Sequence, residues 1–517
     1  MHDGWIDFTA SGRLSLRRAA FRLLLALAGS IGVAAPVVAG CVKDLPDCGL
    51  GTEPDLLKCD VGPEPDAEAP PSCAPGSGPP SADCGIFVSF SGGDDGDSGS
   101  LDKPVKTLKK ALDIAKGKPI YACAEEFPVT SSLEVPAGSV LYGSLDCKNG
   151  WGFPAEGEAA STRIRGMKSG VVPLWLRAGG GRTEISGVHV TAKEGLAPGG
   201  SSIAVLVEDV KAIFSTCTLE AGPGADGANG AASLPTPAQS GVAGAAGGAA
   251  CSDISVMGGP GGFTDCNGEQ TEGGQGGTGA QFVGGDGKPG EPVSGQSGLG
   301  GKGQVAMDCT PGGAGVDGGP GAEGADAAGF GALDAKGYTG IPGADGLVGK
   351  PGQGGGGGGG SKGGTGAGKC ADAVNGGSSG GGGGSGGCGG AGGRGGSPGG
   401  ASIAIASLGA SKETRLVLSE VKLIVGNGGK GGAGAAGQEG GAGGVGGSGG
   451  VSSAMVLKGG CNGGSGGKGG QGGKGGDGLA GPSVGVAFTG EPPGKANLVF
   501  DSAAGDSGFE QKAFDSP

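Results

Sequence analysis

From Gly428 to Gly449 every third residue is glycine, and the same period returns from Gly460 to Gly481, eight Gly-X-Y triplets in each run. A period of three fits neither the 3.6 of an α-helix nor the 2.0 of a strand. It is the repeat of a polyproline-II-type helix, which places each glycine on one edge. Most triplets read Gly-Gly-X, so two edges are bare. Bare edges let neighbouring backbones come close enough to exchange the hydrogen bonds that this helix cannot make internally. The expectation is a set of packed, polyglycine-II-like excursions. A collagen triple helix is a poor match, because it needs proline at many X and Y positions and the two runs hold one, Pro482. A flexible glycine brush is the other alternative, but a mere spacer has no need of a strict period.

The chain has 135 glycines in 517 residues, is 4% aromatic and 17% charged, and carries a net charge of −14. An ordinary globular chain has about 7% glycine and about 25% charge. One compact core is therefore not expected. Apolar residues concentrate between Gly85 and Glu220 and in three later islands, which implies a core assembled from small pieces stacked in series. The acidic balance argues against nucleic acid and anionic lipid surfaces as partners.

At the N-terminus, Arg13, Arg17, Arg18 and Arg22 precede an apolar run from Leu23 to Val38 that ends in Val38-Ala39-Gly40-Cys41. A basic region, an apolar region and a small-residue cleavage site in that order read as an export signal over residues 1–40. The Cys41 context resembles the bacterial lipobox, which implies acylation of its thiol and anchoring to the cell envelope at the outer membrane. A cleaved signal followed by a disulfide cysteine is the alternative. Residues 41–84 are rich in proline and acid without hydrophobic periodicity, and read as an extended tether holding four further cysteines, Cys48, Cys59, Cys73 and Cys84.

The 14 cysteines come with two histidines and no C-x-x-C, so disulfides in an oxidising compartment are favoured over a metal centre, and no cofactor is expected. Candidate pairs are Cys123 with Cys147, Cys251 with Cys266, and Cys388 with Cys461. Cys217, inside an apolar segment, reads as a buried thiol.

The folded body is expected from Gly85. Lys106–Ala115 reads as an amphipathic helix with Leu108, Ala111, Leu112 and Ala115 on one face. Strands are expected at 86–90, 120–123, 132–135, 140–142, 162–165, 173–177, 183–190, 203–207 and 211–219. Many short strands without intervening helices suit a sandwich, a barrel or a solenoid. An internal repeat favours the solenoid: Ser202-Ile203-Ala204-Val205 and Ser402-Ile403-Ala404-Ile405 each lead through a second strand into a glycine-rich excursion. The expected organisation is β rungs with a capping helix over 85–221, a glycine-rich insertion over 222–400 and a rung over 401–425. An excursion over 426–450, a strand over 451–457, an excursion over 458–482 and terminal strands and a tail over 483–517 follow.

The run Phe87-Val88-Ser89 to Ala115, with Lys103-Pro104-Val105-Lys106-Thr107-Leu108 leading into the helix, resembles the N-terminal cap of right-handed parallel β-helix proteins of the pectate-lyase-like superfamily. Leu141-Tyr142-Gly143, Asp146-Cys147, Trp151, Ser201 to Val207 and Cys217 to Gly222 are similar to glycine-rich PGRS-type β-helix lipoproteins of myxobacteria. The resemblance implies an all-β, right-handed parallel β-helix in the cell envelope, and carries no activity with it.

Three functions follow as alternatives. The first is a non-catalytic surface scaffold with a structural, matrix or adhesion role, meeting the membrane through its lipid anchor and envelope or extracellular polysaccharide or other surface proteins beyond it. The second is a polysaccharide lyase or hydrolase, which needs grouped carboxylates and a basic residue. Glu208, Asp209 and Lys211 with Arg182 and Glu184 are the nearest to such a set, while His189 alternates with Val188 and Val190 and is expected on the outer face. The third is a calcium-binding β-roll, for which Gly472 to Ala480 matches one nonapeptide with Asp477. Asp94, Asp95 and Asp97 read as local turn chemistry.

Overall fold

The computed structural model describes residues 73–75, 78–153, 161–454, 456–503 and 508–516. The expected signal, Cys41, Cys48 and Cys59 lie outside the described residues.

Nearly all regular structure is strand. One seven-stranded and two six-stranded sheets are parallel throughout, and the chain visits them in a fixed cyclic order. Ile120–Cys123 lies in the first sheet, Glu126–Val129 in the second and Leu133–Val135 in the third, and Val140–Leu145 then returns to the first beside Ile120–Cys123. The order repeats through Thr162–Gly166, Leu174–Leu176, Arg182–Ser186, Val188–Ala192, Ser202–Val207, Lys211–Ser215 and Thr218–Ala221. Alternate residues point between the sheets. Val135, Ile164, Leu174, Ile185, Val190, Val205, Phe214 and Leu219 are buried in one core, and the register stacks like on like, as in Leu219 against Val190 on one side and Leu423 on the other.

The spans 183–190 and 211–219, each expected as one strand, are two strands in different sheets. The breaks fall at Gly187 (φ 67°) and Thr216 (φ 51°), and later passes of the same corner bend at Glu420 (φ 53°) and Asn497 (φ 50°). A single left-handed residue turns the chain and shifts the inward alternation by one, from Thr183 and Ile185 to Val188 and Val190 and from Ala212 and Phe214 to Cys217 and Leu219, so the corner is marked in the sequence only by that slip.

The helix begins two residues later than expected, at Leu108–Ala115. Thr107 caps it, its hydroxyl accepting from the Lys110 N–H, and Lys116 ends it in a left-handed conformation. Leu108, Ala111 and Ala115 are buried against the first strands. The folded part also starts earlier than Gly85. The segment closed by Cys73–Cys84 packs on the outer face of the first sheet, where the Tyr121 hydroxyl donates to the Cys73 carbonyl and Phe87, Tyr142 and Trp151 complete a small second core.

The repeat seen in sequence is a register. Ser202 pairs with Ser402 and Ser402 with Ser483, so strands about 200 and 80 residues apart in sequence are adjacent. The intervening stretches leave the sheets at one corner, between the second and the third. Segments 222–250, 310–328, 341–363, 376–400, 426–450 and 460–481 lie side by side, and backbone bonds between them recur every third residue. Gly381, Gly384 and Gly387 donate to Cys461, Gly464 and Gly467, while Gly441, Gly444 and Gly447 donate to Cys388, Ser385 and Gly382.

The seven glycines 354–360 show why the pattern is so strict. They are all buried, and backbone bonds join their segment to six others, around residues 274, 288, 301, 313, 384 and 464. On a rim segment one edge meets water instead, and there the third residue is free to vary: Lys430, Ala433, Ala436, Glu439, Ala442, Val445 and Ser448 are exposed.

Three antiparallel pairs punctuate the glycine segments and carry no clear signal in the sequence: Ser255–Val256 with Gly279–Ala280, Phe263–Cys266 with Glu269–Glu272, and Ala332–Asp334 with Gly337–Thr339. The last reaches back over the outer face of the third sheet. There Leu333 is buried with Ile203, Leu206, Ile403, Ala406, Val484 and Phe514, and ties the glycine segments to the sheets. The expected strand at 451–457 is not a strand. The described residues there form the reversal between two glycine segments.

Cys123 pairs with Cys147. The other two expected pairs are corrected: Cys251 bonds Cys370, Cys266 bonds Cys388, and Cys461 bonds Cys309. Nearness along the chain favoured Cys251 with Cys266, but the hydrogen-bonded packing of glycine segments brings residues more than a hundred positions apart side by side. Cys217 is free and buried, and burial pushes its thiol up to about 12.

Candidate interaction surface at the loop end of the glycine segments

A glycine segment that leaves the sheets must reverse, and five reversals gather at one end: 251–257, 280–283, 305–309, 362–375 and 451–459. Each is tied to its neighbours. Cys251 is bonded to Cys370, and the Asp253 carbonyl accepts from the Gly376 N–H. Ala280 bridges Lys362, whose ammonium donates to the Val305 carbonyl at 3.0 Å. Lys458 pairs with Asp308 at 3.5 Å, and Cys309 is bonded to Cys461. The Val451 carbonyl accepts from Ala250 and from the Ser378 hydroxyl.

What these loops present is apolar. Met307 is 84% exposed, Phe282 77%, Met257 72% and Val451 71%, and Ile254, Val283, Val305 and Val456 are exposed beside them. Together they are eight of the 22 exposed large apolar side chains among the described residues, on four of the five short loops. Their charges cancel, with Asp253, Asp308 and Asp372 against Lys362, Lys369 and Lys458, in a chain of net charge −14. A concentrated apolar patch with a polar surround marks an interaction surface. The sequence signal for it was the position of four cysteines, Cys251, Cys309, Cys370 and Cys461, at or beside the reversals, each near an isolated apolar residue in a glycine-rich stretch.

The residues singled out for catalysis take local partners. Arg182 and Lys211 are paired across adjacent strands, and the buried Arg182 guanidinium bonds Glu184 through Nη2 at 3.3 Å. Its Nε and Nη1 have no acceptor. Glu208 accepts from the Ala178 N–H at 3.1 Å and pairs with Arg177 at 3.5 Å, and Asp209 accepts from the Thr414 hydroxyl. His189 stands on the outward side of its strand, with Nε2 at 2.9 Å from Glu220.

Asp95 accepts from the backbone N–H of Lys106 and Thr107 and from the Thr107 hydroxyl, and Asp94 from the Gly96 N–H, which fixes the loop ahead of the helix. Asp477 accepts from the Gly434 N–H at 2.9 Å and from Lys474, and the Asp477 N–H is itself held by Asp326 at 2.8 Å. Among the described residues no group of three or more His, Cys, Asp or Glu side chains is placed to hold a metal ion, and no helix is long and apolar enough to cross a membrane.

No known protein family, no curated protein and no solved structure matches this chain.

Proposed function

We propose that the protein is a non-catalytic lipoprotein, exported and anchored through Cys41 to the bacterial outer membrane, that displays a rigid surface scaffold for a structural, matrix or adhesion role. Its three cyclically visited parallel sheets read as a right-handed parallel β-helix capped by Leu108–Ala115, the hand being that of almost all parallel crossovers. The glycine segments read as polyglycine-II-like helices inserted at one corner of that β-helix.

The observation that carries the reading is the gathering of five loops, four of them apolar, at one end of packed glycine segments, where the disulfides Cys251–Cys370 and Cys309–Cys461 and bonds between loops hold them together. A segment of 25 residues at about 3.1 Å per residue spans ~75 Å, so the lattice holds those loops far from the sheets in a fixed arrangement. A protein that only needed reach would use a flexible linker. Packing the glycines costs backbone entropy, which is repaid only if the position of the loops matters. The local pairing of Glu208, Asp209 and Arg182 supports a scaffold over a sugar-cleaving groove, whose acid and base must converge on one bond.

The test is metabolic labelling with a palmitate analogue, combined with protease shaving of intact cells. Wild-type protein should take up the label, and Cys41→Ser should lose both label and membrane retention or remain unprocessed. Absent labelling of the wild type with unchanged membrane retention would remove the anchor from this reading.

A further inference from the structure

The geometry points to the loop end as a bilayer-contacting surface, its apolar side chains entering the headgroup boundary of a zwitterionic lipid membrane. This rests on the display-scaffold reading and names what the scaffold displays its loops to.

Four observations favour a bilayer over a protein partner. First, the most exposed side chains, Met307, Phe282, Met257 and Val451, stand on four different loops. A protein partner would need matching pockets at each of those spacings, whereas a bilayer makes no demand on shape. Second, the loops are joined to one another by Cys251–Cys370, Cys309–Cys461, the Ala280 to Lys362 bridge and the Lys458–Asp308 pair. Insertion therefore orders little that is not already ordered, which lowers its entropic cost. Third, the loops are neutral where the chain as a whole is strongly acidic, so this end escapes the repulsion that the rest of the chain meets at an anionic surface. Fourth, Lys369 and Lys458 are exposed beside the apolar residues, long enough to reach lipid phosphates while the apolar side chains enter below them. Methionine, unbranched and polarizable, suits a fluid partner of no fixed form.

The full-length acylated protein, held by its anchor in phosphatidylcholine vesicles, tests this with Phe282→Trp as a local reporter. A second population of vesicles containing brominated phosphatidylcholine is then added. Contact between the loop end and those vesicles should shift the new tryptophan's emission to the blue and quench it, and should cluster the two populations. Adding Met257→Ser and Met307→Ser should slow clustering at least tenfold, while the disulfide map of the variant stays that of the parent.

The absence of both quenching and clustering with the parent would overturn the inference. So would clustering that appears only when a cell-surface protein extract is added, which would assign the loops to a protein partner. If Cys41 carries no acyl chain, the protein fails to float with the first vesicles, and the brominated vesicles are then offered to the soluble protein. Failure of the anchor and failure of the loop surface are thus read separately.

Discussion

Gly357 has no room for one more carbon. A Cβ there would overlap the carbonyl of Gln275, and at 356 and 358 it would overlap those of Leu299 and Cys461, so successive residues of the run are closed in by three different segments. Gly357→Ala must push backbone apart rather than displace a side-chain end. It should cost about 3 kcal/mol or more, read as lost hydrogen-exchange protection across 354–360. Ala442→Ser, in the same lattice but on the exposed edge, should stay within about 0.5 kcal/mol of wild type. Equal protection in both variants would mean that the glycines are not packed. Not every X position is tolerant, however. Gln438 is buried, its Oε1 accepting from Ala391 N–H at 3.0 Å and its Nε2 donating to the Thr236 carbonyl at 2.8 Å. Gln438→Ala therefore unpairs two backbone groups and should cost roughly 1–3 kcal/mol, where the exposed Glu439→Ala should be silent in the same thermal melt. The triplet pattern alone treats these two positions as equivalent.

At the scale of an element, a rim segment has spare N–H groups that no neighbouring glycine can satisfy. Asp and Asn side chains on the next segment take them. Asp226 and Asn229 accept from Lys430 and Ala433, Asp317 from Lys468, Asn462 from Gly449, Asp345 from Gly395 and Asp286 from Gly303. Backbone hydrogen bonding, then a lysine or arginine partner, holds the carboxyls of Asp286, Asp345 and Asp477 below their ordinary value. A depressed folded pKa gives stability that is complete above the unfolded value of about 4 and is lost as pH falls through the folded value. Acid should thus loosen the lattice rim first. Protection of the Gly303, Gly395 and Gly434 amides should fall below about pH 4 before that of the sheet amides, and Asp345→Ala should remove the pH dependence at Gly395 alone. A fall that is uniform over rim and sheets would show that these carboxylates do not hold the segments together.

For the whole molecule, the covalent links divide unevenly. The bridges in and beside the sheets close 11 and 24 residues, while those among the glycine segments close 119, 122 and 152. In the chain-entropy description each long loop removes about 4–5 kcal/mol of freedom from the unfolded chain. The glycine segments need this more than the sheets do, because they bury little side-chain area against a large backbone entropy. Reduction should therefore lower the melting of the glycine segments well below that of the sheets, with the first proteolytic cuts mapping to 251–257, 362–375 and 451–459. A single melt unmoved by reductant would place the stability elsewhere.

The sequence by itself determined whatever depends on local backbone geometry. Glycine at every third position has one regular use, the alternation of Ile203, Val205 and Val207 has another, and the match of Ser202 to Ser402 already announced a shared register. Sequence alone did not reveal the corners at Gly187 and Thr216, because each is marked only by a one-residue slip of the alternation, from Ile185 to Val188 and from Phe214 to Cys217, nor the strand Phe509–Ala513, whose residues are half-buried or exposed. Nor could it choose partners. Cys251 meets Cys370 rather than Cys266, and five loops separated by long stretches of chain meet at one end, because each glycine segment selects its neighbours through backbone bonds that every glycine offers alike. A repeated pattern specifies how segments pack but leaves open which segments pack together. That choice was made by the lengths of the segments, the returning strands that fix their ends, and the disulfides that close them.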